Sequence, residues 1–465
     1  MILYFRFITL GLDFYSCFLN GGGKMCQSNS AAPKPKAFRN LSLMNRFCGM
    51  LLAAVLLACL ARCGGNGTPA PPPPPPGAPA ILFRSFRALD GSNAGSANNT
   101  ENIWGINADG TGATPLTKLT AAVVSFDPAW SPDGTVIAFA SNRAPGGGDN
   151  HNQTFLPDIW AMKTDGSGLI QLFNSGPIPV SSSTNPMWSP DGRKLMFDLE
   201  CCGLNAGPGV AVMNADGTNV TKLATSFAHN GPSPDSWSHD GSKLLFDSPL
   251  VLNGSGGFNT NQTSNVWIMN ADGSTQTPLT KLTAVNADCA GAMLSPDGSK
   301  IAFVSARAFD GSDAANASAT LNIWVENIDG TGAKPLTQLL SVGAGSTAPV
   351  WSPDGTKLAF VFTRALNGSD AANTNTTANI WIMNADGTGA AALTKLTASG
   401  ANSSSPAWKP NSSILAFDSR RALDGSDAAN AASNIWVVNA DGSGATALTK
   451  LSVVGADSVQ PSWRP

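Results

Sequence analysis

At 465 residues the chain has material for two to four domains, yet only 13% of it is charged, and 28 Lys+Arg against 31 Asp+Glu leave a net charge of −3. No extended basic field is available to hold phosphates, which argues against nucleic acid as a partner. The 48 glycines and 32 prolines, with many Asn, Ser and Thr, fit a turn-rich β protein whose surface is polar but sparsely ionised.

The first 80 residues differ in kind from the rest. Residues 1–43 read as an upstream extension with no role in the fold, because Met44 opens a second plausible start. From Met44 the text "MNRFCGMLLAAVLLACLARCGG" places basic Arg46 before the apolar run Met50–Leu60 and then small residues, the layout of a secretory signal peptide over 44–63. That run is short for a membrane span. "LARCGGNG" resembles the signal of bacterial lipoproteins, which implies a lipid anchor at Cys63. Arg62 stands where such signals carry a small residue, and Ala58 before Cys59 meets that rule better, so Cys59 is the alternative anchor. Ordinary cleavage near Ala61 is a third possibility. Residues 64–79 contain "PAPPPPPPGAP", a stiff polyproline II tether.

From residue 80 onward the chain repeats. One tryptophan closes "NIW" or its equivalent five residues before the Asp of an "ADG"-type turn: Trp104, Trp160, Trp267, Trp324, Trp381 and Trp436, with Ala211 in the same register. A second opens "WSPDG": Trp130, Trp188, Trp237, Trp351 and Trp408, with Leu294 replacing it once and Trp463 at the end, at spacings of 49 to 58 residues. Each unit holds four short apolar runs, for example "APVWS", "KLAFVF", "NIWIMN" and "AALTKL" within 348–396. Asp-Gly turns join the first run to the second and the third to the fourth as tight hairpins, the latter with a Gly bulge, which sends the two longer connections to the opposite face. Meanders of this kind bury both faces only by stacking around an axis. The spacing therefore predicts an all-β, seven-bladed β-propeller of four-stranded antiparallel blades over 80–465. "AILFRSF" at 80–86 is a second strand lacking a first, and "VQPSWRP" at 459–465 is a first strand lacking a second, so their pairing is expected to close the ring.

"WSPDGTKLAF" and "NIWIMNADGTGAAALT" resemble the WD-like propeller repeats of the TolB family, over about 385 of the 465 residues. That resemblance implies a bacterial envelope protein. It does not carry over the family's separate N-terminal α/β domain, in whose place stands the proline tether.

The polar segments between second and third strands, such as "RAFDGSDAANASATLN" at 307–322, should crown one face and form the default binding site. Arg87, Arg143, Arg307, Arg364 and Arg421 share one register there and would offer a partial cationic ring to carboxylates or an acidic polymer. Asp90, Asp310 and Asp424 lie three residues on, where local pairing competes. Asp310 and Asp313 offer oxygen ligands for calcium, but the spacing departs from the EF-hand series, and Asp-Gly turns with Ser-Asp capping a helical turn explain them as well. Asp313 and Asp424 complete the candidate ligand-binding set. The strand tryptophans are expected to pack between blades.

His151, His229 and His239 are the three histidines, and neither H-E-x-x-H nor G-x-S-x-G occurs, so no catalytic residue, metal site or cofactor is assigned. A following hydrolase domain, as in prolyl oligopeptidase-type enzymes, is not expected. Cys201, Cys202 and Cys289 define no disulfide framework. The favoured function is a non-enzymatic binding scaffold, exported to the periplasm or the outer membrane as a lipoprotein. It would act as a monomer, hold a protein or polymer partner, and touch the membrane only through the anchor. A propeller lyase or carbohydrate-active enzyme of the envelope is the alternative, and a calcium-stabilised adhesion module a third reading.

Overall fold

A computed structural model of the protein describes residues 16–20, 23–27, 78–152, 155–174, 181–201, 209–223, 237–252 and 259–465. Two compact units divide the chain, Met1–Ala70 and Pro71–Pro465. In the first, Ser16–Asn20 pairs antiparallel with Gly23–Gln27. The signal region, Cys59, Cys63 and the proline tether lie outside the described residues. Among the described residues no helix is long and apolar enough to cross a membrane.

The second unit is the seven-bladed propeller. In blade 6 the strands run Ser346–Trp351, Lys357–Phe362, Asn379–Asn384 and Ala391–Ala392, each paired antiparallel with the next. We call these the inner, second, third and outer strands. Blade 4 has its second to outer strands, with Trp237 bridged to Leu244 in place of a described inner strand. Inner strands of neighbouring blades touch one another between blades 2 and 3, 5 and 6, 6 and 7, and 7 and 1.

Hairpin chemistry is as the sequence dictates. In the third-to-outer turn Gly110 N donates to Asn107 O and Asn107 N to Thr111 O, while Gly110 adopts φ +83°, a type I turn with a Gly bulge. In the first turn Asp133 accepts from Ser131 Oγ at 2.6 Å and from Thr135 N at 3.1 Å.

Blade stacking accounts for the apolar runs. Second-strand residues Leu358, Ala359, Phe360 and Phe362 are wholly buried, as both faces of the blade meet neighbours. Inner-strand tryptophans add a directional link: Trp188 Nε1 donates to Ala129 O, Trp237 to Met187 O, Trp351 to Met293 O and Trp408 to Val350 O, each acceptor lying in the preceding blade. Trp130 Nε1 reaches Ser462 O at 3.3 Å and continues the series across the chain ends.

The ring closes where the repeat phase predicts. Ser458–Trp463 pairs with Ile81–Ser85 as the inner strand of blade 1, Trp463 opposite Ile81. Arg464 N donates to Ala80 O, Phe86 N donates to Asp457 O, and the Ser85 and Ser458 hydroxyls lie 2.9 Å apart.

A buried asparagine locks each outer edge in five blades. Asn379 Oδ1 accepts from Thr394 Oγ1 at 2.9 Å and Leu396 N at 2.8 Å, and its Nδ2 donates to Leu396 O at 2.9 Å. Asn102, Asn265, Asn322 and Asn434 hold the corresponding Thr and Leu. The two-residue outer strands thus depend on a side chain as much as on ladder hydrogen bonds.

Candidate functional site

The crowned face is assembled from the loops after the second strands and the turns that lead from each outer strand to the next blade. The loops of blades 1, 2, 5, 6 and 7 carry their residues in one frame. Six positions after the shared arginine, Asp149, Asp313 and Asp427 reach the preceding blade and accept from the backbone of Thr120, Thr283 and Thr397 at 2.6–2.7 Å, and also from the hydroxyls of those threonines. Asp370 accepts from Leu340 N at 3.2 Å, and Asn93 exchanges hydrogen bonds with Ser452 across the ring closure. These are inter-blade clamps.

Asp90, Asp310 and Asp424 instead organise their own loops, each accepting the amide two residues on, from Ser92, Ser312 and Ser426 at 2.8–2.9 Å. The expected helical turn at Ser-Asp does not form there. Blade 6 has a single 3-10 turn, Thr374–Thr376, and it is capped by Asn373, because the aspartates are engaged in the turn and the clamp. Among the described residues no three His, Cys, Asp or Glu side chains group as a metal would require.

The five arginines each lie over an aromatic ring of their own blade. Arg87, Arg307 and Arg421 sit 4.6, 4.9 and 4.8 Å from the centroids of Trp104, Trp324 and Trp436, Arg143 sits 5.6 Å from Trp160, and Arg364 5.9 Å from Phe362. In three of them N–H groups turn to loop carbonyls: Arg421 Nη2 donates to Gly425 O at 2.8 Å, Arg364 Nε to Ser369 O at 2.9 Å and Arg87 Nη2 to Gly91 O at 3.4 Å. Burial lowers the pKa of Arg87, Arg421 and, to about 10, Arg143. The aspartate three residues on is thus not the partner in hydrogen-bonding geometry. The guanidinium aligns with the carbonyl of the following glycine instead, and Asp90 acts on Arg87 only through its field.

Departures from the repeat stand out against this uniform frame. At the crowned end of blades 1 and 2, Arg84 Nε lies 3.4 Å from Glu101 Oε1. Burial raises the Glu101 carboxyl to about 7, with Arg84 opposing and Asp127 assisting, and burial also raises Asp127. Asp127 occupies a bulge of the inner strand with φ +49°, and the same bulge recurs at Asn185, Gly291, Ala348, Ser405 and Gln460. The bulge amides face carboxylates: Asn185 N donates to Asp127 Oδ2, Gly291 N to Asp247 Oδ2 at 2.6 Å and Gln460 N to Asp418 Oδ1. Sequence reasoning missed this channel-side group. Its signal was Arg84 at a second-strand position that holds Ala140, Val304 or Val361 in three blades and Asp198, Asp247 or Asp418 in the other three.

A second feature is apolar. Val285, Val342 and Val454 occupy one register at the tips of the outer-strand turns and are 56%, 80% and 78% exposed. Leu340 and Val453 lie beside them.

His151 packs on the Phe155 ring at 3.7 Å, with Nδ1 3.0 Å from Asn152 O. His239 is exposed in its turn, and His229 lies outside the described residues. Cys289 is a free, fully buried thiol pushed up to about 12 by burial. Cys202 and the side chain of Cys201 lie outside the described residues.

No family model matches the sequence. The uncharacterized peptidase YuxL of Bacillus subtilis is 31% identical over 127 residues, which are 27% of this chain and 18% of that protein, so the chain spans about a fifth of its curated relative's length. Among solved structures, a putative TolB from Agrobacterium tumefaciens is similar at 16% identity and TM-score 0.42, over 68% of this chain and 90% of that one. A prolyl endopeptidase is similar at 10% identity and TM-score 0.51, over 79% and 48%. At 10% identity the likeness to the prolyl endopeptidase speaks for the fold alone.

Proposed function

We propose that the propeller is a non-enzymatic scaffold of the cell envelope whose crowned face holds a protein partner. The observation that supports this reading is the set of exposed valines on turns immobilised by the inter-blade clamps. Apolar tips held in fixed positions can bury area against a partner without first paying to order a loop. The arginines at the base of the loops, with Asp310, Asp313 and Asp424, would border that surface.

Crosslinking in envelope extracts tests the proposal, comparing the parent with Val342→Asp/Val454→Asp. The partner crosslinked to the parent is expected to be lost from the variant at unchanged circular dichroism, and retention of the same partner would refute the reading. Export and lipidation at Cys63 or Cys59 belong to the same proposal. Labelling with a clickable fatty acid in cells should mark the parent and fail for the Cys59→Ser/Cys63→Ser variant.

The enzyme reading has one observation in its favour, the proton held near neutrality by Glu101 beside Arg84 and Asp127. A turnover of acidic polysaccharide that survives Glu101→Gln would remove it.

A further inference from the structure

Six of the seven third strands carry an apolar residue at their fifth position: Ile106, Met162, Met213, Met269, Met383 and Val438. Blade 5 carries Glu326 there, 3% exposed, with Oε2 buried and unpartnered. The position faces the preceding blade, since Trp324, two residues earlier on the same face of the strand, packs with Leu279 and Leu282 of blade 4. A methionine would close that contact. The glutamate instead forms part of the wall of a groove of about 300 Å³ between the two blades.

The groove also contains a cation. Arg307, stacked on Trp324, lines it, and its Nε is likewise buried without a partner. Lys281 stands exposed at the rim. The groove thus presents an unmet acceptor and an unmet donor of opposite charge.

We propose that this groove binds a small zwitterion of the free α-amino acid class, its ammonium on Glu326 and its carboxylate toward Arg307 and Lys281. Each end would meet an ionised side chain with a buried polar atom that has no partner within the protein. Asp313, on the loop side, has both oxygens engaged by Thr283 and Ala284, and Asp329, in the adjoining turn, holds Thr331 through Oδ1. Glu326 therefore supplies the negative end of the groove.

Isothermal titration of the full chain with L-alanine and L-glutamine tests the proposal, with propionate and ethylamine as controls that each lack one charge. The amino acids should bind with a dissociation constant of about 1 mM or tighter, and the controls about tenfold more weakly. Glu326→Met installs the residue of four other blades, so it should keep the parent's circular dichroism and melt no lower, while losing binding at least about tenfold. Glu326→Gln, which keeps the shape and removes the charge, should lose it as well.

Ionisation offers a second readout. Burial pushes the Glu326 carboxyl up to about 7, with Arg307 and Lys281 opposing and Asp329 adding to the rise. Asp313 and Asp329 are held below the ordinary carboxylate range, so Glu326 is the carboxylate at the groove that titrates near neutrality. Affinity should rise about tenfold from pH 6 to pH 8 in the parent, with no such rise in Glu326→Met. No saturable binding of either amino acid, equal affinity for propionate, or parent-like binding by Glu326→Met overturns the proposal.

Discussion

Replacing Trp463 by alanine tests whether the strand at the ring closure supports the whole propeller. The side chain is 8% exposed and packs among Ile81, Phe83, Trp104 and Ile106 of blade 1 and Ala416 and Leu448 of blade 7, with Lys409 Nζ 5.5 Å from its ring. Removing a buried tryptophan of this kind costs about 3–5 kcal/mol, a large share of the ~5–15 kcal/mol that holds a typical protein folded. Trp351 is the internal control. It is 6% exposed, in the same inner-strand register, and wedged between blades in the same way. Urea unfolding followed by far-UV circular dichroism should show Trp463→Ala and Trp351→Ala lowering one common transition by similar amounts. A Trp463→Ala midpoint within error of the parent, beside a large loss for Trp351→Ala, would refute closure as a stabilising contact. So would a small early transition that leaves the main one in place.

Asn379→Ala should cost about 2–4 kcal/mol, because it leaves Leu396 N and the buried Thr394 hydroxyl proton without an acceptor, while Leu396 O keeps Asn373 Nδ2; denaturant unfolding checks it. Asp427→Ala should cost less, about 1–2 kcal/mol, and should speed hydrogen exchange at Thr397 and Ala398, whose amides it accepts. Glu101 and Glu326 are raised from 4.5 to about 7, so the folded protein binds more protons than the unfolded chain between those values. Stability from these groups is full below pH 4.5 and falls as pH rises through 7, and Glu101→Gln with Glu326→Met should flatten that limb of a urea-midpoint profile. The turn aspartates act oppositely: Asp240 is lowered to about 2 by the Ser238 hydroxyl and the Ser242 hydrogen bonds, so its contribution is lost as pH drops below 4 toward 2. Chelator should leave the melting temperature unchanged, since Asp310 and Asp313 already have protein donors; a fall would restore the calcium reading.

Periodicity made the architecture legible. Tryptophans at 49 to 58 residue intervals set the blade number, Asp-Gly pairs set the hairpins, and the phase of "AILFRSF" against "VQPSW" located the ring closure before any coordinate. The asparagine lock was present too, as an Asn followed at 15 and 17 residues by Thr and Leu, but its meaning requires knowing that the outer strand is only two residues long. The clamps were harder to see. Asp310 and Asp313 look alike in "DGSDAAN", and only the neighbouring blade distinguishes the one that turns its own loop from the one that crosses to Thr283. For the arginine ring, sequence weighed an aspartate partner and passed over the tryptophan of the next strand, which pairing brings beneath the guanidinium. Glu326 belongs to no motif of the repeat. Setting the seven third strands in register exposes it as the one charge in an apolar column.

The pairing of Trp463 with Ile81 also has a consequence in time. A ribosome delivers Ile81–Ser85 first and its inner neighbour Ser458–Trp463 some 370 residues later, an interval of roughly 20–75 s at ordinary elongation rates. Throughout that interval the oldest blade carries a bare strand edge, able to pair with any other extended chain nearby. The first blade begun is the last one finished, and an escort that shields nascent chains would find its natural client there.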